Sequence, residues 1–236
     1  MFNKLRSIIF KLDPELAHNL AIKALKYNYI PNNKIPSNSL IETEIFGKKI
    51  SNPIGLAAGF DKDAEVTDNI WGYLWGKLGY GALLFATALT NESIADVLAD
   101  KKYQPMLKKL ASELSELAAA QNIKLQGFNG YDPYAFLKGA ANEKATNSFD
   151  EMVAHNRKSA KSHSGIWRDL AVRKRKTEAD PQLTLPVSLG EELGHPMPIT
   201  RLLISLINEI EIGERPLDYG NLEELNILFK EIENAS

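Results

Sequence analysis

Lys77 is a cation set inside an apolar, glycine-rich run, Trp71-Gly72-Tyr73-Leu74-Trp75-Gly76-Lys77-Leu78-Gly79-Tyr80-Gly81. Trp71, Leu74, Trp75 and Leu78 recur at i, i+3, i+4 and i+7, so the run reads as a helix. A lysine within such a helix face is unusual, and it makes Lys77 a candidate pocket residue that could offer charge to an anion. The glycines cost helix stability. Four within ten residues point to close helix contact or close approach to a ligand. The other chemistry-bearing groups are weaker. His155 and His163 are eight apart, roughly 80° off a common helix face, which disfavours a metal pair. Asp150-Glu151 and Glu191-Glu192 read as solvated helix faces. Arg173-Lys174-Arg175-Lys176 reads either as a phosphate contact or as a solvated turn before a helix.

The elements that must position these groups are mostly helical. Asp13-Pro14-Glu15 is a helix start, with a capping carboxylate and a proline suited to the first turn. Leu16, Leu20, Ala24 and Leu25 follow at helical spacing, and the pattern ends by Tyr29. Ile41–Ile45 and Lys48–Ile50 read as two short strands around Gly47. Pro53 to Lys62 has a buried-strand composition running into a glycine turn. Beyond Val66 strand alternation disappears. Tyr103 to Ala118 carries a long apolar stripe, Gly127 to Pro133 is a loop, and Ser148 to Arg175 reads as a helix interrupted at Gly165. Ile199 to Ile210 is a late amphipathic helix begun after Pro196 and Pro198.

Composition sets the bounds. The chain has 236 residues, 44% of them hydrophobic, and a net charge of −2. That suffices for a core. Basic residues are scattered, so no nucleic-acid partner is expected. With no cysteine there is no disulfide, thiolate nucleophile or thiolate metal site, and a reducing, cytoplasmic setting is expected. No run of eighteen apolar residues is present, so no spanning helix is expected.

Asn52-Pro53-Ile54-Gly55-Leu56-Ala57-Ala58-Gly59-Phe60-Asp61-Lys62, preceded by Leu12-Asp13-Pro14-Glu15-Leu16-Ala17-His18, resembles membrane-associated dihydroorotate dehydrogenase over residues 1–66. That resemblance implies N-terminal helices touching a membrane surface, peripheral to an inner membrane. It also implies contacts to flavin mononucleotide (FMN) from Ala58, Gly59 and Lys62, with Lys62 reaching the orotate carboxylate. The family's closed barrel needs eight strands, of which only the first has a counterpart here.

Residues 67–236 resemble the C-terminal helical domain of ketopantoate reductase. The resemblance rests on Trp75-Gly76-Lys77-Leu78, on His163 to Asp169 with Arg173 to Asp180, and on Pro196-Met197-Pro198-Ile199-Thr200-Arg201-Leu202. It implies a mainly α fold of the ketopantoate reductase / 6-phosphogluconate dehydrogenase C-terminal type, with a short α+β appendage before it. It further implies Lys77 as the catalytic proton donor and clamp, Ser164 and Glu178 as substrate-binding residues, a small 2-oxo acid substrate and NADPH. Where the family carries an asparagine four positions after the lysine, this chain has Gly81. The Gly-x-Gly-x-x-Gly turn that holds a dinucleotide pyrophosphate occurs nowhere in the sequence.

Three functional expectations follow. The chain is of the ketopantoate reductase family, without its nucleotide domain and inactive alone. Alternatively it is a non-catalytic helical module that forms homodimers, or a truncated quinone-dependent dihydroorotate dehydrogenase.

Overall fold

The computed structural model describes residues 11–27, 43–45, 48–50 and 69–235. The chain divides into two compact units, Met1–Ile70 and Trp71–Ser236.

In the first unit, α1 spans Pro14–Lys26. Its start is the predicted one: Asp13 Oδ1 accepts from the amides of Glu15 (3.0 Å) and Leu16 (3.2 Å). Strands β1 (Thr43–Ile45) and β2 (Lys48–Ile50) pair antiparallel, with Glu44 opposite Lys49. The stretch Asn52–Lys62, with Ala58, Gly59 and Lys62, lies outside the described residues.

The second unit is helical throughout. Its elements are α2 (Ile70–Thr87), α3 (Ile94–Ala99), α4 (Gln104–Ala120), a 3₁₀ turn (Pro133–Phe136), α5 (Asn142–Lys158), α6 (Gly165–Trp167) and a π turn (Arg168–Arg173). They are followed by α7 (Ala179–Glu192), α8 (Pro198–Glu211) and α9 (Tyr219–Asn234). Helix α4 is the hub. Met106, Leu107, Leu110, Ala111, Leu114, Leu117 and Ala118 are buried around most of its circumference, and it touches the 3₁₀ turn and helices α3, α7, α8 and α9. A helix buried on nearly every side must satisfy whatever polar group it carries inward. Glu113 does this by capping α8. Met197, before Pro198, offers no side-chain cap, and the Glu113 carboxylate instead accepts from the amides of Ile199 (3.1 Å) and Thr200 (2.9 Å) and from Thr200 Oγ1 (2.7 Å).

The expected helix over Ser148–Arg175 is a correction. Helix α5 begins earlier and ends at Lys158, and Ser159 to Ser164 form a connection. The hydroxyl-bearing residues there bond locally and compete with the helix ladder. Ser159 Oγ takes the Lys161 amide, and Ser164 Oγ takes the Trp167 amide at 3.1 Å, opening α6. The next segment runs on as a π turn. Trp71 is 66% exposed, whereas Trp75 and Trp167 pack partly buried against the core.

Candidate functional site

The glycines of α2 explain how its surface is approached. Among its first eleven residues only Gly72, Gly76, Gly79 and Tyr80 are buried. A Cβ on Gly76 would lie 1.8 Å from the Gln126 carbonyl oxygen, and one on Gly79 would lie 2.4 Å from the Tyr131 hydroxyl. The Gln126 amide donates to the Gly72 carbonyl at 3.1 Å. The loop before the 3₁₀ turn is thus pressed onto the helix backbone, where the glycine spacing predicted close approach by a helix or a ligand. Gly81 differs: its nearest neighbour would be Gln182 Oε1 at 4.0 Å. It faces open space.

That open space is a cleft of about 860 Å³. Lys77, Tyr80 and Gly81 of α2 line one side. Ser164 lines another from the start of α6, and Glu178 and Gln182 come from the start of α7. Asp169 of the π turn, Thr177 before α7 and Asn129 of the pressed loop complete the polar lining. Lys77, Ser164 and Glu178, singled out from stretches far apart in the sequence, therefore meet at one site.

Their states differ. Lys77 and Glu178 are exposed and Ser164 is buried. The Ser164 hydroxyl already caps α6, while its own hydrogen remains free to turn toward the cleft. Glu178 accepts from Gln182 Nε2 at 2.5 Å, which places the amide and carboxylate side by side. Among the described residues Lys77 has no hydrogen-bond or ion-pair partner, so its charge is available to a ligand. Tyr80 is buried, and its hydroxyl pairs with Asn156 (Asn156 Nδ2 donating at 2.8 Å). Burial pushes the phenol above its ordinary value, partly offset by that hydrogen bond, and keeps it protonated. Asp169 is held below the usual carboxylate range by the hydrogen bonds of Arg175 and then Arg173 (3.0 and 2.8 Å to Oδ1). The run Arg173–Lys176 is thus in part an intramolecular clamp. It leads from the π turn into α7, with Lys174 in the left-handed region (φ 50°).

Sequence reasoning did not single out Asn129, Tyr80, Gln182 or Asp169. A signal existed for the first: Asn129-Gly130 is a turn dipeptide. Asn129 has φ 52° and Gly130 φ 86°. A Cβ at Gly130 would press on the Glu151–Met152 backbone at 2.7 Å, so only glycine fits there and Asn129 is turned toward the cleft. Among the described residues its carboxamide has no side-chain partner. His163, a weak metal candidate in the sequence, is structural. Its ring packs at a tilt against Trp167 (centroids 4.1 Å apart) and its Nε2 meets the Asn91 carbonyl at 3.0 Å. No His/Asp/Glu cluster suited to a metal occurs among the described residues.

Residues 69–211 match the family described as ketopantoate reductase PanE/ApbA C-terminal. The chain belongs to that family. The chain is also similar to the quinone-type dihydroorotate dehydrogenases. It is 44% identical over 72 residues to the mitochondrial enzyme of Arabidopsis thaliana (30% of this chain, 16% of the relative). It is 39% identical over 83 residues to that of Erythrobacter litoralis (35% and 24%) and 41% identical over 88 residues to that of Actinobacillus pleuropneumoniae (37% and 24%). The chain therefore spans less than a quarter of the length of these relatives. No solved structure matches. The mainly helical second unit agrees with the helical C-terminal domain of the ketopantoate reductase family. No helix among the described residues is long and apolar enough to cross a membrane.

Among the described residues no parallel strand leads through a glycine turn into a helix, the arrangement that holds a dinucleotide pyrophosphate. The described residues alone do not supply that arrangement.

Proposed function

We propose that the second unit is the substrate-binding half of a ketopantoate-reductase-type site, which takes a small 2-oxo acid in the Lys77 cleft. The observation that carries this reading is the convergence of Lys77, Ser164 and Glu178 on one open cleft from three separate elements. An unpaired ammonium beside hydroxyl and amide donors suits an anionic, carbonyl-bearing ligand. A carbonyl that gains charge needs a positioned cation and a proton source, and in this reading Lys77 supplies both. Ser164 Oγ donates to a ligand oxygen while still accepting from Trp167. Glu178, steadied by Gln182, accepts from a ligand hydroxyl. The nicotinamide comes from a second polypeptide or a separately folded segment, and the chain alone is inactive.

The test is calorimetric titration of ketopantoate and NADPH into the full chain and into Lys77→Ala. Lys77 is exposed, so folding should survive the substitution. The expected result is ketopantoate binding by the wild type, weakened at least tenfold in Lys77→Ala, with no NADPH binding to either. Absence of any Lys77-dependent binding at millimolar ligand refutes the reading. With a concentration-dependent dimer, it would favour the helical dimerisation module instead.

A further inference from the structure

A second space, sharing no lining residue with the Lys77 cleft, is a groove of about 560 Å³ between α4, α5 and α9. Small-molecule sites run from roughly 300 to 1,000 Å³. The two sides of this groove carry opposite charge. Lys101, just before α4, and Lys108 and Lys109 within it line one side, and Glu233 lines the other from α9. Three ammonium groups thus face one carboxylate, in a chain whose net charge is −2. Lys101 donates to Gln104 Oε1 at 3.1 Å and stands 3.9 Å from Asp150, an exposed pair of little worth in water. Lys108 donates to Asn142 Oδ1 at 2.6 Å, a neutral acceptor that leaves its charge uncompensated. Among the described residues Lys109 has no hydrogen-bond or ion-pair partner. Lys108 and Lys109 are both half-buried, so salt screens them less than it would on an open surface. Two such ammonium groups suit a compact dianion. A phosphate monoester carries about −1.5 to −2 at pH 7, and lysine meets it as a point charge. The opposite side suits something else. Glu233 repels an anion and accepts from hydroxyl or amino groups. Phe229, one turn before it, is half-buried and offers an aromatic side chain on which a flat ring can pack. Buried Phe149 of α5 forms an apolar floor between the two sides.

We propose that the groove between α4, α5 and α9 binds a mononucleotide, its phosphate held by Lys108 and Lys109 and its base and sugar laid toward Phe229 and Glu233. The site is independent of the reading of the Lys77 cleft. The polarity of the groove sets its preference: cations select the phosphate at one side, and the ring and carboxylate select a hydroxyl- and amine-bearing ring at the other.

The experiment titrates AMP, adenosine and inorganic phosphate by calorimetry into the full chain, into the double variant Lys108→Gln, Lys109→Gln and into Glu233→Gln. Circular dichroism checks that each variant keeps the helical content of the wild type. AMP should bind at least tenfold more tightly than either phosphate or adenosine, and added salt should weaken it. The double variant should lose at least tenfold in AMP affinity while adenosine binding stays the same. Glu233→Gln removes the repulsion of a bare anion, so the preference for AMP over phosphate should narrow. No AMP binding at millimolar concentration overturns the proposal, as does AMP affinity unchanged in the double variant. Phosphate bound as tightly as AMP reduces the groove to an anion site and also overturns it. A preference for AMP unchanged in Glu233→Gln overturns the placement of the nucleoside, and with it the proposal.

Discussion

Helix α2 offers the same substitution in two settings with opposite expected signs. Gly→Ala inside a helix is intrinsically favourable by about 1 kcal/mol. At Gly81 nothing opposes that gain, because the new methyl would meet only Gln182 Oε1 at 4.0 Å. Gly81→Ala should therefore stabilise the unit by up to about 1 kcal/mol, a rise of roughly 2–4 °C in Tm for a unit of this size. At Gly76 the methyl would sit 1.8 Å from the Gln126 carbonyl oxygen. That atom is backbone, held by the Gln126 amide bond to Gly72, and it cannot rotate away. Overpacking costs about 1–3 kcal/mol. Loss of the Gln126–Gly72 hydrogen bond adds about 1 kcal/mol. After the helix gain is subtracted, Gly76→Ala should be destabilising by about 1–3 kcal/mol, a fall of roughly 2–12 °C. Thermal unfolding followed by circular dichroism, with urea titration to confirm ΔG, measures both. The loop that moves away from α2 also carries Asn129, so Gly76→Ala should also weaken ligand binding. A Gly76→Ala variant as stable as the wild type, or a Gly81→Ala variant that melts several degrees lower, refutes the account of the glycine seam.

Three further outcomes follow from the same geometry. Burial pushes the Glu113 carboxyl above its ordinary value, against the opposing hydrogen bonds from Thr200 and Ile199. Its stabilising contribution is thus full below the unfolded carboxyl value and fades as pH rises through the folded one. Glu113→Gln cannot ionise, so the Tm advantage of the wild type over this variant should shrink as pH rises above the ordinary carboxyl value of 4.5, as read by scanning calorimetry at acid and at neutral pH. Asn129→Gly keeps the left-handed turn and deletes the carboxamide. Its melting temperature should stay within about 2 °C of the wild type, with 2-oxo acid affinity lowered about two- to tenfold, the worth of one hydrogen bond. Asn226 is 2% exposed, and its buried Nδ2 has no partner among the described residues. Asn226→Leu, which removes that uncompensated group at similar volume, should unfold at the same or a higher denaturant concentration than the wild type.

What could be read from the sequence divides by the range of the interactions. Asp13 as a cap, the stripe of α4 and the start of α8 after Pro198 are local patterns, and the structure has them where expected. The end of α5 was misplaced because the apolar spacing runs on past Lys158 while Ser159, Ser162 and Ser164 bond to nearby groups. Helix α7 was hidden by Pro181 and Pro186. The first falls in the opening turn, where no amide is needed, and the second lies mid-helix, where packing of Leu183 and Val187 outweighs its cost. The role of Glu113 was invisible, because the amides it serves belong to a helix more than eighty residues later. The site follows the same division. Resemblance selected Lys77, Ser164 and Glu178, and no spacing rule could have brought them together. Their meeting depends on the glycine seam that seats α2 and on the capped starts of α6 and α7. Asn129 is the instructive omission. The sequence has Gly81 where the family carries an asparagine on the helix. The structure brings an asparagine to the same cleft from the facing loop, held there by a glycine whose missing Cβ lets it abut the α5 backbone. A donor lost from one element and present on another leaves no trace in residue spacing, and it can be found only by asking what lines the space that the glycine leaves open.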